Sequence, residues 1–111
     1  MKTVLITGAG IGIGRSTALA FSKKGYRVIV TDILKDEGAA VVSEINENGG
    51  AAKFYFLDVT STENADNVVA SVEKEFGAID TIVCNAGIAH KVPLDQLTDE
   101  KWDYLFDIDL K

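Results

Sequence analysis

Gly8, Gly10, Gly12 and Gly14 alternate through the segment Thr7-Gly8-Ala9-Gly10-Ile11-Gly12-Ile13-Gly14, directly after the apolar run Thr3-Val4-Leu5-Ile6. Backbone that must approach a pyrophosphate closely has no room for Cβ atoms, and a helix N-terminus offers unpaired N–H groups with a partial positive charge. A glycine turn that leaves a strand and opens a helix therefore suits the binding of a dinucleotide. The competing reading is a tight turn that needs positive φ, but four glycines within seven residues exceed what one turn requires.

Asp32 follows the next apolar run, 18 positions after Gly14. A carboxylate there can accept hydrogen bonds from both hydroxyls of an adenosine ribose. It would also repel a 2′-phosphate some 4 Å away by about 4 kcal/mol at an effective dielectric of about 20. No Arg lies in sequence position to compensate, so the expected cofactor is NAD rather than NADP. A solvated aspartate at a strand end is the competing reading.

Other reactive side chains lack partners in the sequence. His90 is a lone histidine in a loop, and Cys84 ends an apolar run as an inert thiol. Asp99, Asp103 and Asp107 recur every four residues, but carboxylates on one helix face without His, Cys or a fixed loop read as a solvated face, so no metal is expected. Trp102 and Tyr104 read as packing residues.

The chain has 111 residues, 17 acidic against 11 basic, for a formal charge of −6. Its longest basic run is Lys23-Lys24, which argues against a nucleic-acid partner or an anionic membrane surface. A phosphate site built from backbone N–H groups needs no lysine, so the acidic charge is no objection to it. The single cysteine forms no internal disulfide, and neither a signal-peptide core nor an 18-residue apolar stretch is present. The expectation is one cytoplasmic domain over residues 1–111.

These residues must be positioned by alternating strands and helices. The patterning predicts strands at Thr3–Ile6, Arg27–Thr31, Ala52–Leu57 and Ile79–Cys84. It predicts helices over about 13–24, ended by Gly25, and over about 36–48, with Ala40, Val41 and Ile45 on the apolar face. A third follows the capping-box spacing Thr60-Ser61-Thr62-Glu63 and carries the stripe Ala65, Val68, Val69, Val72, Phe76. A last helix is capped by Thr98 and carries Trp102, Leu105 and Phe106. Strands separated by helices imply right-handed βαβ units and a parallel sheet, so the fold class is α/β.

Thr7-Gly8-x-x-x-Gly12-Ile13-Gly14, Asp58-Val59 and Asn85-Ala86-Gly87 together resemble the short-chain dehydrogenase/reductase family, in order and over the whole chain. The resemblance implies a Rossmann-type doubly wound parallel sheet, here partial, with strand order 3-2-1-4. It implies that Asp58 bonds the adenine amino group, that Val59 packs near the ring, and that Asn85, Ala86 and Gly87 skirt the cofactor in a mainly structural turn. Ile11 and Ile13 would lie near the dinucleotide, and Ile33 beside Asp32 joins the same site. The partners implied are a dinucleotide and, with the catalytic half, an alcohol or carbonyl substrate.

Asp109 stands where the family usually has Asn, which is thought to hold a water in a proton relay; an ionised Asp keeps the acceptors and lacks the amide donor. The family's catalytic Ser and Tyr-x-x-x-Lys lie beyond Lys111, and none of Tyr26, Tyr55 or Tyr104 has Lys four positions later. Without that Tyr as general acid, these residues alone are expected to be inactive. The fourth strand would also be an unpaired edge, so the chain is expected either to be the amino-terminal half of a longer enzyme or to pair as a symmetric homodimer. Two functions remain open: an NAD-dependent oxidoreductase represented by its cofactor half, and a non-catalytic nucleotide-binding or dimerisation module.

Overall fold

A strand with Val4 and Ile6 pointing one way and Leu5 the other has no face to offer water, and needs cover on both sides. The computed structural model, which describes residues 1–85, provides it. Strands β1 (Thr3–Ile6), β2 (Arg27–Asp32), β3 (Ala51–Phe56) and β4 (Thr81–Val83) form one parallel sheet in the order β3-β2-β1-β4. Helices α1 (Gly12–Lys23), α2 (Lys35–Glu47) and α3 (Thr62–Phe76) connect them in turn. Two cores result. Val4, Ile6, Val28 and Val30 meet Ala18 of α1 and Val41 and Ile45 of α2. On the opposite face, Leu5, Ile29 and Ile82 meet Ala65, Val68 and Val72 of α3. Complete burial of such side chains contributes about 1.5–3 kcal/mol each before conformational entropy is subtracted.

The chain steps from β1 outward to β2 and β3, then returns across the sheet to place β4 on the other side of β1. Right-handed crossovers put α1 and α2 on one face before that reversal and α3 on the other after it. The reversal leaves a crevice at the carboxyl ends of the strands.

The strands and helices fall within one residue of the expected bounds, except that β4 begins at Thr81 rather than Ile79. Asp80 explains the later start: its carboxylate accepts from Thr3 N–H at 2.8 Å, which fixes the approach to the strand, while Ile79 still packs against the α3-side core. The expected capping box at Thr60 does not form. Ser61 caps α3 instead, accepting from Asn64 N–H at 3.1 Å, because the Thr60 hydroxyl is drawn to Asp58. On α2, Ala40 faces solvent and Gly38 takes a buried position beside Val41 and Ile45.

The outer edge of β3 is partly covered by a side chain. Asn46 accepts from Ala52 N–H at 3.0 Å and donates to the Ala52 carbonyl at 3.4 Å, copying the pairing of a neighbouring strand. Farther along, Glu75 of α3 accepts from Lys53 and Tyr55, and Arg27 stacks 4.4 Å from the Phe76 ring, tying the end of α3 to β2 and β3. Ala86, Gly87, His90, Asp99, Asp103, Asp107, Asp109 and the expected last helix with Thr98, Trp102, Tyr104, Leu105 and Phe106 lie outside the described residues.

Gly38 allows α2 to lie close to β3: a Cβ built there would stand 2.2 Å from Cε1 and 2.4 Å from Cδ1 of Phe54. Helix propensity alone would favour Gly38→Ala by about 1 kcal/mol. Overpacking costs about 1–3 kcal/mol and should prevail here. A net loss of up to about 2 kcal/mol in urea unfolding is expected; a stabilised variant would show that the ring simply swings aside.

Candidate functional site

The glycine turn begins where β1 ends and is stitched to both neighbouring strands. Thr7 N–H donates to the Val83 carbonyl and Ala9 N–H to the Thr31 carbonyl, each at 3.0 Å. The Thr7 hydroxyl accepts from Asn85 N–H at 2.9 Å, while the buried Thr31 hydroxyl donates to the Ile6 carbonyl at 2.7 Å. Gly8 and Gly12 have φ of 63° and 57°, a region costly for a side chain bearing Cβ. At Gly14 the demand is space: a Cβ would lie 1.9 Å from the Gly8 carbonyl oxygen and 2.6 Å from Nδ2 of Asn85. The first turn of α1 is thus pressed onto the loop that precedes it.

No side chain caps the N-terminus of α1, and its first turn has no acidic residue. The other two helices carry Asp36 and Glu37, or Glu63, at that place. The first-turn N–H groups of α1 and its dipole are therefore directed at the cleft without a carboxylate of their own to neutralise them.

Asp32 closes the turn from the other side. It is 7% exposed, and its oxygens accept from two backbone donors, Gly10 N–H on Oδ2 at 2.9 Å and Leu34 N–H on Oδ1 at 3.0 Å. The carboxylate keeps further lone pairs for a ligand. The sequence showed the carboxylate but not these two donors, which make it part of the scaffold as well as of the cleft.

Asp58 stands past the end of β3. Its Oδ1 accepts from Thr60 twice, from the hydroxyl at 2.6 Å and from the N–H at 2.9 Å. The Thr60 hydroxyl foremost, and then its N–H, hold the Asp58 carboxyl below the usual carboxylate range. Asn64 fixes the backbone behind it, accepting from Asp58 N–H at 2.7 Å and donating to the Phe56 carbonyl at 3.5 Å.

These groups surround one cleft of about 570 Å³, within the range of small-molecule sites. Gly8, Ile11, Ile13, Asp32, Ile33, Asp58, Val59 and Asn85, all expected from sequence, line it together with Leu34 and Leu57. Gly10, Gly12 and Gly14 shape the turn beside it rather than its lining; Ala86, Gly87 and Asp109 lie outside the described residues. Ile11, Ile13, Ile33 and Leu34 are 56%, 77%, 58% and 36% exposed, and among the described residues only Met1 and Phe56 are comparably exposed large apolar side chains. A cluster of exposed apolar groups around two carboxylates is of the kind found in ligand-binding grooves and interaction surfaces. Sequence reasoning missed Thr60 and Asn64; the signal was their place two and six positions after Asp58, read there as helix entry alone.

Residues 2–111 match the family described as short chain dehydrogenase. Galactitol 2-dehydrogenase of Agrobacterium fabrum is 43% identical over 110 residues, covering 99% of this chain and 42% of that enzyme. The chain spans less than half the length of the curated relatives it matches. A structure from Haemophilus influenza, proposed to be a D-mannonate oxidoreductase and holding NAD, shares 30% identity at a TM-score of 0.71, over 74% of this chain and 29% of that one. An alcohol dehydrogenase from the archaeon Thermococcus sibiricus, complexed with 5-hydroxy-NADP, shares 31% at a TM-score of 0.71, over 75% and 36%.

The Asp58 geometry has a consequence in acid. A carboxyl whose pKa is lowered by folding contributes stability above its ordinary pKa of about 3.9, and loses it as pH falls through the lower folded value. Urea unfolding from pH 7 to pH 3 should therefore give a constant gap between the protein and Asp58→Asn at the neutral end that narrows below about pH 4. A gap that widens in acid would contradict the assignment of the Thr60 bonds.

Proposed function

This chain belongs to the short chain dehydrogenase family, and from that premise we propose that it forms the NAD-binding part of an oxidoreductase acting on an alcohol or carbonyl compound. The family binds nicotinamide dinucleotides. The observation that carries the reading is the convergence of the glycine turn, Asp32 and Asp58 on one cleft at the carboxyl ends of the strands. The cradle fits the group: Gly14 leaves no room for a Cβ, and α1 presents an uncapped, acid-free first turn suited to a pyrophosphate. In this reading Asp32 accepts from the adenosine ribose hydroxyls, Asp58 from the adenine amino group, and Ile11, Ile33, Leu34 and Val59 give the base and ribose apolar walls. Bound there, the cofactor would accept a hydride from an alcohol or, in its reduced form, give one to a carbonyl.

The preference for NAD over NADP rests on Asp32 and its surroundings. Two backbone donors hold the carboxylate in place, so it cannot turn away from a 2′-phosphate. No Lys or Arg lines the described cleft, and Arg15 is paired with Glu44. The repulsion of about 4 kcal/mol at 4 Å is therefore uncompensated. Among the described residues the ionisable groups of the cleft are Asp32 and Asp58, both used as acceptors, while Tyr55 is bonded to Glu75 and does not line it. Residues 1–85 accordingly bind and orient the cofactor. Association with a second copy belongs to the same proposal, supported by the edge position of β4 among the described residues.

Calorimetric titration with NAD and NADP tests this. The protein should bind NAD at least about 100-fold more tightly than NADP, a fraction of the Coulombic limit. Asp32→Ala, checked for folding by circular dichroism because it also loses the bonds to Gly10 and Leu34, should weaken NAD by about tenfold or more and narrow the preference. A folded protein that binds neither dinucleotide would overturn the proposal.

A further inference from the structure

Thr60 does not line the cleft, yet it spends both of its donors on one oxygen of a residue that does. Its N–H and its hydroxyl both reach Oδ1 of Asp58, and Oδ2 accepts from no group among the described residues. Asn64 holds the backbone on either side of Leu57 through Phe56 and Asp58, and its own N–H is held by Ser61. The carboxylate is thereby fixed in position and in rotation, with one oxygen committed to the protein and one left over.

An ionised carboxylate oxygen can only accept, so the free one suits an amine and opposes a carbonyl. The Thr60 hydroxyl gives its proton to Oδ1, so beside the carboxylate it offers no donor to a carbonyl. The arrangement therefore attracts an amino-bearing base and repels an oxo base, whose oxygen would face an acceptor, the two components from which selectivity is built. Fixing the acceptor beforehand also lowers the ordering cost of binding.

Resting on the reading of this cleft as a dinucleotide site with Asp58 at its base end, we propose that Thr60 is a positioning residue that makes the site select amino- over oxo-purine dinucleotides. It acts through Asp58 and touches no ligand itself. Thr60 is exposed, so its hydroxyl can be removed without opening the core.

The test is calorimetric affinity for NAD and for nicotinamide hypoxanthine dinucleotide, in the protein, Thr60→Val and Thr60→Ser. The protein should prefer NAD by tenfold or more. Thr60→Val should lose about tenfold on NAD, the scale of one charge-assisted hydrogen bond, and keep its affinity for the hypoxanthine form within about twofold. Thr60→Ser, which retains the hydroxyl, should restore the preference. A Thr60→Val variant that keeps the preference, or weakens both ligands alike, overturns the proposal and leaves the dinucleotide reading standing. A protein that binds both forms equally overturns the role of Asp58 and this proposal with it, and one that binds neither overturns the dinucleotide reading as well.

Discussion

The Asp32 carboxylate gathers three segments at one point: the end of β2, the glycine turn at Gly10 and the entry to α2 at Leu34. A buried charge is costly unless its hydrogen-bonding capacity is met, and here two backbone N–H groups meet part of it. Those donors are fixed by the turn and the helix entry, which are in turn fixed by the carboxylate. The shape of the cleft thus depends on a residue that also faces into it. A substitution at Asp32 alters recognition and scaffold together, which is why an isolated measurement of affinity there would conflate the two.

The reversal of strand order at β1 supplies the rest. Because β2 and β4 flank β1, the turn after β1 can bond to both, through Ala9 to Thr31 and through Thr7 to Val83. A turn after an edge strand would have only one neighbour. The apolar strand interiors fix the sheet, the sheet fixes the ends of three strands at one level, and the groups that matter chemically lie within a few residues of those ends. Little of the site depends on the helix faces; what α1 contributes is its first turn, brought close by Gly14.

Much of this was legible in the residues. The runs at Val4–Ile6 and Val28–Val30 announce strands buried on both faces, and the α3 stripe from Ala65 to Phe76 is a helix pattern that its buried side bears out. The glycine turn was legible because its geometry constrains residue type: a close approach excludes Cβ. What was not legible depends on geometry between distant positions. Gly38 is set by the Phe54 ring on another element, and nothing near it in sequence separates it from Ala40 as the buried residue. Thr60 gave an apparent capping box because local spacing cannot show that its hydroxyl has a stronger, anionic acceptor in Asp58. The double hold on Asp32 is likewise a property of folded backbone that no side-chain pattern encodes.

The cover that Asn46 places over Ala52 has a meaning for the chain's behaviour in crowded company. On the outer side of β3, Ala52 is paired with Asn46 and the Phe56 carbonyl with Asn64, so among the described residues strand alternation leaves there the main chain of Phe54 and the N–H of Phe56. An intruding strand needs several consecutive partners to anneal. Two asparagines thus interrupt a sticky ribbon without proline or a bulge, and the aromatic-rich stretch Phe54-Tyr55-Phe56 is left without the continuous template on which fibrils grow.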